Sequence, residues 1–111
     1  MREIAWIKAA LKDFGSFPEA VQDRMKAALA IASMGQKADF AKPMKGLGSG
    51  IFEIALPYRT DAYRAIYAVQ LGDSIWVIHA FRKKSKTGIA TPHHEVELIK
   101  ARLKRLEEML R

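Results

Sequence analysis

The chain has 111 residues, half of them hydrophobic and 28% charged, which suits one domain with its own core and is too short for two. It holds no cysteine, so disulfides, thiolate catalysis and zinc–thiolate centres are excluded. The net charge is +7, which points to a polyanionic partner or to a basic surface that keeps the protein soluble.

The basic excess is uneven. Residues 1–56 carry eight Lys and Arg against six Asp and Glu, whereas residues 57–111 carry eleven against six. No apolar run approaches the roughly 18 residues that a membrane span requires. Met1-Arg2-Glu3 does not lead into a signal-peptide core, so no membrane association and a cytoplasmic location are expected.

In chain order, Ile4, Ile7, Leu11 and Phe14 fall at helical spacing, with Gly15 able to end the helix, although Ile4 to Ile7 also suits a short strand. Ser16-Phe17-Pro18-Glu19 has the spacing of a capping box. Val21, Met25, Ala28, Leu29 and Ala32 then form one apolar stripe, ended by Gly35. A helical hairpin is expected over this region. Residues 36–50 are polar and rich in Lys and Gly and read as a connecting loop. Its Lys37, Lys42 and Lys45 are either phosphate contacts or simply solvated.

Three strands are expected next: Ile51 to Leu56, stopped by Pro57; Ala62 to Val69; and Ser74 to about Arg82, after the Gly72-Asp73 hairpin. The second and third are apolar on both faces, so both faces should be covered. Thr91-Pro92 opens a last helix, with Thr91 as N-cap and Pro92 at the first helical position. Val96, Ile99, Leu103, Leu106 and Leu110 are its apolar stripe. The whole is an α+β domain, residues 1–111: a helical hairpin on a sheet of three or four antiparallel strands, with a C-terminal helix.

Several residues bear chemistry. Arg64 lies mid-strand among apolar neighbours, where an idle charge is costly, so it serves either a phosphate or an ion pair such as one with Glu53. His79 shares a strand face with Ile75, Val77, Phe81 and Lys83, since alternate residues point the same way, and is either a proton-transfer group or a hydrogen-bonded core residue. Arg82, Lys83, Lys84 and Lys86 are presented at the exit of the last strand. Tyr63, Tyr67, Trp76 and Phe81 offer either base stacking or core packing. His93 and His94 are adjacent, hence about 100° apart on a helix, and do not make a two-ligand metal face.

Phe17-Pro18, Lys42-Pro43-Met44-Lys45-Gly46, Phe52-Glu53-Ile54, Tyr63-Arg64-Ala65-Ile66-Tyr67, His79-Ala80-Phe81-Arg82-Lys83-Lys84-Ser85 and the closing basic helix resemble the phage-related branch of the RelE/HigB toxins. The resemblance runs over nearly the whole chain and implies the RelE-like fold. It implies the toxin of a type II toxin–antitoxin system that cuts mRNA in the ribosomal A site without a metal or other cofactor. It further implies a cognate helix-turn-helix antitoxin as partner. Arg64 matches the family position that contacts the scissile phosphate; with His79 and Lys83, read from their own chemistry, it makes the expected catalytic set, and Lys45, Arg82, Lys84 and Lys86 make the expected RNA-binding set. One departure stands out: the family's lysines on the first meander strand have no counterpart in Phe52-Glu53-Ile54-Ala55. Two other functions fit the same residues. One is a ParE-like toxin that binds a protein target without catalysis, the other a non-toxic RNA-binding protein.

Overall fold

The computed structural model describes residues 1–84 and 90–111. The described residues form β1 (Ile4–Trp6), α1 (Lys8–Phe14), α2 (Glu19–Ser33), β2 (Ala41–Pro43), β3 (Ile51–Tyr58), β4 (Asp61–Leu71), β5 (Ser74–Lys83) and α3 (His93–Met109). The strands make one sheet in the order β1-β5-β4-β3-β2, with β1 parallel to β5 and every other pair antiparallel. The α+β class and the hairpin–meander–helix order agree with expectation, but the sheet has five strands rather than three or four. Its two extra members are three-residue edge strands, too short to carry a period.

Helices α1 and α2 cover one face of the sheet. Phe14, Val21, Met25, Ala28 and Leu29 pack there on Ile54, Ala65, Tyr67, Ile75 and Val77. Helix α3 covers part of the other face, with Ile99 and Leu103 against Ile51, Ile66, Ala68 and Ile78. Two-sided burial explains why β4 and β5 read as continuous apolar runs. Tyr67 is 1% exposed, and burial raises its phenol pKa above the ordinary value.

The local signals need two corrections. The capping box does not form: Ser16 donates its hydroxyl to the Asp13 carbonyl at 2.7 Å, and Pro18 takes the N-cap of α2. Helix α3 likewise has Pro92 as its N-cap and starts at His93, which frees Thr91 for a different contact. Pro18 sits two positions and Pro92 one position earlier in its helix than expected, each with the extended φ/ψ that a cap requires.

Pro57 does not stop β3, which runs on to Tyr58. The Ala55 amide donates to Phe40 on the β2 side, so the Pro57 nitrogen two residues on faces that side too. No strand pairs there beyond Ile54, so its missing N–H costs no ladder bond.

Helix α2 ends in a Schellman motif: Gly35 N–H donates to Ala32 and Gln36 N–H to Ile31, with Gly35 at φ 83°. A Cβ at Gly35 meets nothing within 4 Å. Gly35→Ala should therefore cost about 1 kcal/mol from the left-handed backbone alone, measurable as a lowered urea midpoint with an unchanged slope.

The feature that positions the site is a bulge in β5. Ile66 pairs with His79 and Tyr67 with Val77, which leaves Ile78 as an extra residue. Val77 packs under the helical hairpin, whereas Ile78 packs under α3. His79 also points to the α3 side, so it does not share a face with Ile75 and Val77 as regular alternation predicts. From His79 onward alternation resumes. Phe81 lies opposite Arg64 and Lys83 opposite Ala62, on the face of α3.

Candidate functional site

Helix α3 crosses the sheet face only partly. Among the described residues the face beyond its N-terminus stays open, forming a cleft of about 460 Å³ lined by Phe40, Lys42, Glu53, Ala55 and Arg64. Register places these side chains together: Lys42 opposes Glu53, and Ala55 opposes Arg64. Lys83 stands two residues along from Phe81 on the same face.

Arg64 is the centre of the cleft. It is 6% exposed, and its Nη1 donates to Glu53 Oε1 at 3.1 Å. Thr91 closes a triangle: its hydroxyl accepts from Arg64 Nη1 at 3.4 Å and donates to Glu53 Oε2 at 2.8 Å. The ion pair weighed from the sequence is therefore present. It does not exhaust the guanidinium, because Arg64 Nε is buried and finds no acceptor among the described residues. Buried donors are rarely left unpaired, and those that are mark strain or a missing partner. An anion is the natural partner for a guanidinium with donors to spare.

His79 occupies a second polar cluster, buried between β5 and α3. Its Nδ1 lies 2.7 Å from Arg102 Nη1, and its Nε2 lies 2.6 Å from Glu95 Oε1. Arginine only donates, so Nδ1 is the acceptor and Nε2 carries the proton. Arg102 also donates to the carbonyl of the bulged Ile78 at 3.3 Å. Burial lowers the His79 pKa; Arg102 acts the same way, while Glu95 and the more distant Asp13 pull upward. With both ring nitrogens engaged, His79 fastens α3 to the sheet in this conformation.

The remaining sequence-derived residues are dispersed around this centre. Lys83 donates to the Ala90 carbonyl at 3.1 Å. Arg82 points to the opposite face, half exposed and 3.6 Å from Asp61. Lys84 is exposed at the strand exit, and Lys86 lies outside the described residues. Lys45 sits in the β2–β3 turn at the level of Ile51, four residues from Ala55, or about 13 Å along the strand. The lysine that reaches the cleft from that loop is Lys42. Tyr63, Tyr67 and Phe81 are buried, and Trp76 is half-buried at some distance from the cleft. Phe40 is the aromatic at the cleft, with the Arg24 guanidinium 5.1 Å from its ring centre. Among the described residues no group of three His, Asp or Glu side chains converges as a metal site would need.

Thr91, Glu95 and Arg102 were invisible as partners in the sequence. Each is an ordinary helix-cap or helix-surface residue type, and only the packing of α3 brings them to Arg64 and His79. A two-sided apolar β5 that contains a histidine was the available signal that something polar must meet it from above.

Comparison with solved structures finds the same fold in the isolated E. coli RelE toxin, at TM-score 0.59 and 19% identity, covering 91% of this chain and 98% of that one. A double arginine-to-alanine mutant of E. coli RelE in the free state gives TM-score 0.61 and 18% identity, covering 94% and 96%. Comparison with curated proteins gives no significant match. Residues 12–104 match the family described as phage derived protein Gp49-like. With that match spanning most of its length, and with a RelE-like fold beneath it, the chain belongs to the phage-derived Gp49-like family.

Proposed function

We propose that this chain is the toxin of a toxin–antitoxin pair, and that it cuts mRNA in the ribosomal A site without a metal, restrained by a cognate helix-turn-helix antitoxin. The observation that carries the reading is Arg64, a buried cation with an unpaired Nε on the floor of an open cleft. The RelE-like fold and the net charge of +7 support it.

The chemistry requires a 2′-oxygen to attack the adjacent phosphorus. The P–O2′ bond forms and the P–O5′ bond breaks, giving a 2′,3′-cyclic phosphate and a free 5′-hydroxyl. Arg64 holds two non-bridging oxygens with its fork as charge builds on them. Glu53, beside Arg64, receives the 2′-hydroxyl proton as a carboxylate. Lys83 returns a proton to the departing O5′, and Lys42, at the cleft, carries a flanking phosphate; Arg82 and Lys84 are turned to the other face of the strand and take no part at the cleft. The proposal thus gives proton transfer to Glu53 and Lys83, and leaves His79 to hold α3 in place. Glu53 then answers the missing lysines of the first meander strand: it brings a base where the resemblance led one to expect a cation.

Induction of the protein in a bacterial host, followed by mapping of mRNA 5′ ends, tests this. Growth arrest with new ends inside translated regions is expected, and Glu53→Gln should reduce the cutting by roughly 100-fold or more. A second reading, a toxin that binds a protein target without catalysis, is favoured by one observation. Arg64, Glu53, His79 and Lys83 are all already engaged by internal partners. Arrest that persists in Glu53→Gln without new mRNA ends would establish that reading instead.

A further inference from the structure

At the other end of α3 lies a groove with a different character. It runs between the β1–α1 junction and the last turns of α3, has a volume of about 580 Å³, and has Trp6, Trp76, Leu106 and Met109 on its floor and wall. Met109, 72% exposed, adds an apolar side chain beside the half-buried Trp6 and Trp76. Lys8 and Arg105 stand at its rim, exposed, and neither makes an ion pair among the described residues. Arg102 contributes a third cation, already committed to His79 and Ile78. No carboxylate lines the groove; Glu107, on the same stretch of helix, lines a separate recess with Leu47 and Leu103.

An apolar floor beside unpaired cations calls for an occupant with an apolar stripe flanked by carboxylates. The groove follows Arg102 to Met109, eight residues or about 10 Å of helix, which matches two turns of a helix laid against it. We infer that this groove docks an acidic amphipathic helix from a partner protein. Its apolar residues at i, i+3, i+4 and i+7 would enter between Trp6 and Met109, and its acidic flanks would meet Lys8 and Arg105. Nucleic acid fits less well, because the two indoles share the site with aliphatic side chains and Trp6 is already packed on Phe14 at 4.9 Å. The groove begins nine helical steps beyond His93, about 13 Å along α3, and shares no lining residue with the Arg64 cleft, so the two sites can be filled together. This inference does not depend on the RNA chemistry proposed above.

The chain has two tryptophans, and both line the groove, so its tryptophan emission, excited apart from the three tyrosines, reports on this site. Three probes are titrated into the full chain: a synthetic helical peptide with leucines at i, i+3, i+4 and i+7 and flanking glutamates, its lysine-for-glutamate counterpart, and a uridine oligonucleotide. The acidic peptide should give a saturable blue shift. Arg105→Glu, and separately Lys8→Glu, should weaken it at least tenfold with an unchanged circular dichroism spectrum, whereas Arg64→Lys should leave it alone. No shift with the acidic peptide, equal binding of the lysine counterpart, or the same saturable shift with the oligonucleotide would each overturn the assignment.

Discussion

Arg64→Lys should abolish mRNA cutting, by about 100-fold or more, while the protein stays folded. Lysine keeps the positive charge beside Glu53 but loses the planar fork that grips two phosphate oxygens at once. Removing one such electrostatic donor from a reacting site costs on the order of 10²–10³ in rate. Arg64→Ala goes further and leaves the 16% exposed Glu53 carboxylate without its cation, which should cost about 2–3 kcal/mol of stability as well. The lysine variant is therefore the informative one. Cutting is read by mapped mRNA ends after induction and folding by thermal melting; wild-type cutting by Arg64→Lys would remove Arg64 from the reaction.

The second large effect concerns stability. Arg102→Ala should destabilise the protein by about 2–4 kcal/mol, because it strips donors from two buried acceptors together, His79 Nδ1 and the Ile78 carbonyl. For a chain of this size that is a fall in Tm on the order of 10 °C. The same cluster sets a pH dependence. His79 has a folded pKa below its ordinary value, so below about pH 6.5 the unfolded chain takes up a proton that the folded chain resists. The stability from neutral His79, set among Glu95, Arg102 and Asp13, is complete above that pH and is lost as pH falls towards the folded value. Urea midpoints measured from pH 7.5 down to pH 5 should decline, and His79→Gln should flatten that decline. An equal slope in the variant would place the titrating group elsewhere.

Most of the scaffold was legible because long elements have periods. The stripe from Val21 to Ala32 and the stripe from Ile99 to Leu106 identified α2 and α3, and the apolar runs identified β3 to β5. Three residues are too few to show a period, so β2 was absorbed into a loop and β1 was left undecided between helix and strand. The helix starts were misjudged for a different reason. Ser16 and Thr91 have cap chemistry, but each found a better acceptor, the Asp13 carbonyl and the Glu53 carboxylate. At the cleft, Arg64 and its choice between phosphate and Glu53 could be stated from sequence, since a lone cation in an apolar strand must meet something. The roles of Thr91, Glu95 and Arg102 could not, since each lies 16 to 38 residues from the partner it serves.

Ile78 acts on β5 as an inserted letter acts on a message. A regular strand through the same residues would place His79, Phe81 and Lys83 under α1 and α2 and turn Arg82 and Lys84 towards the cleft. The observed frame reverses that assignment, and the reason lies in what the alternative would bury. The hairpin face is apolar where Ile75, Val77 and Ala80 pack on it, whereas the α3 face supplies His79 with Glu95 and Arg102 and leaves an open end for Lys83. The frame is thus chosen by the hydrophobic layer on the far side of the sheet, and the cations offered to a substrate follow from it.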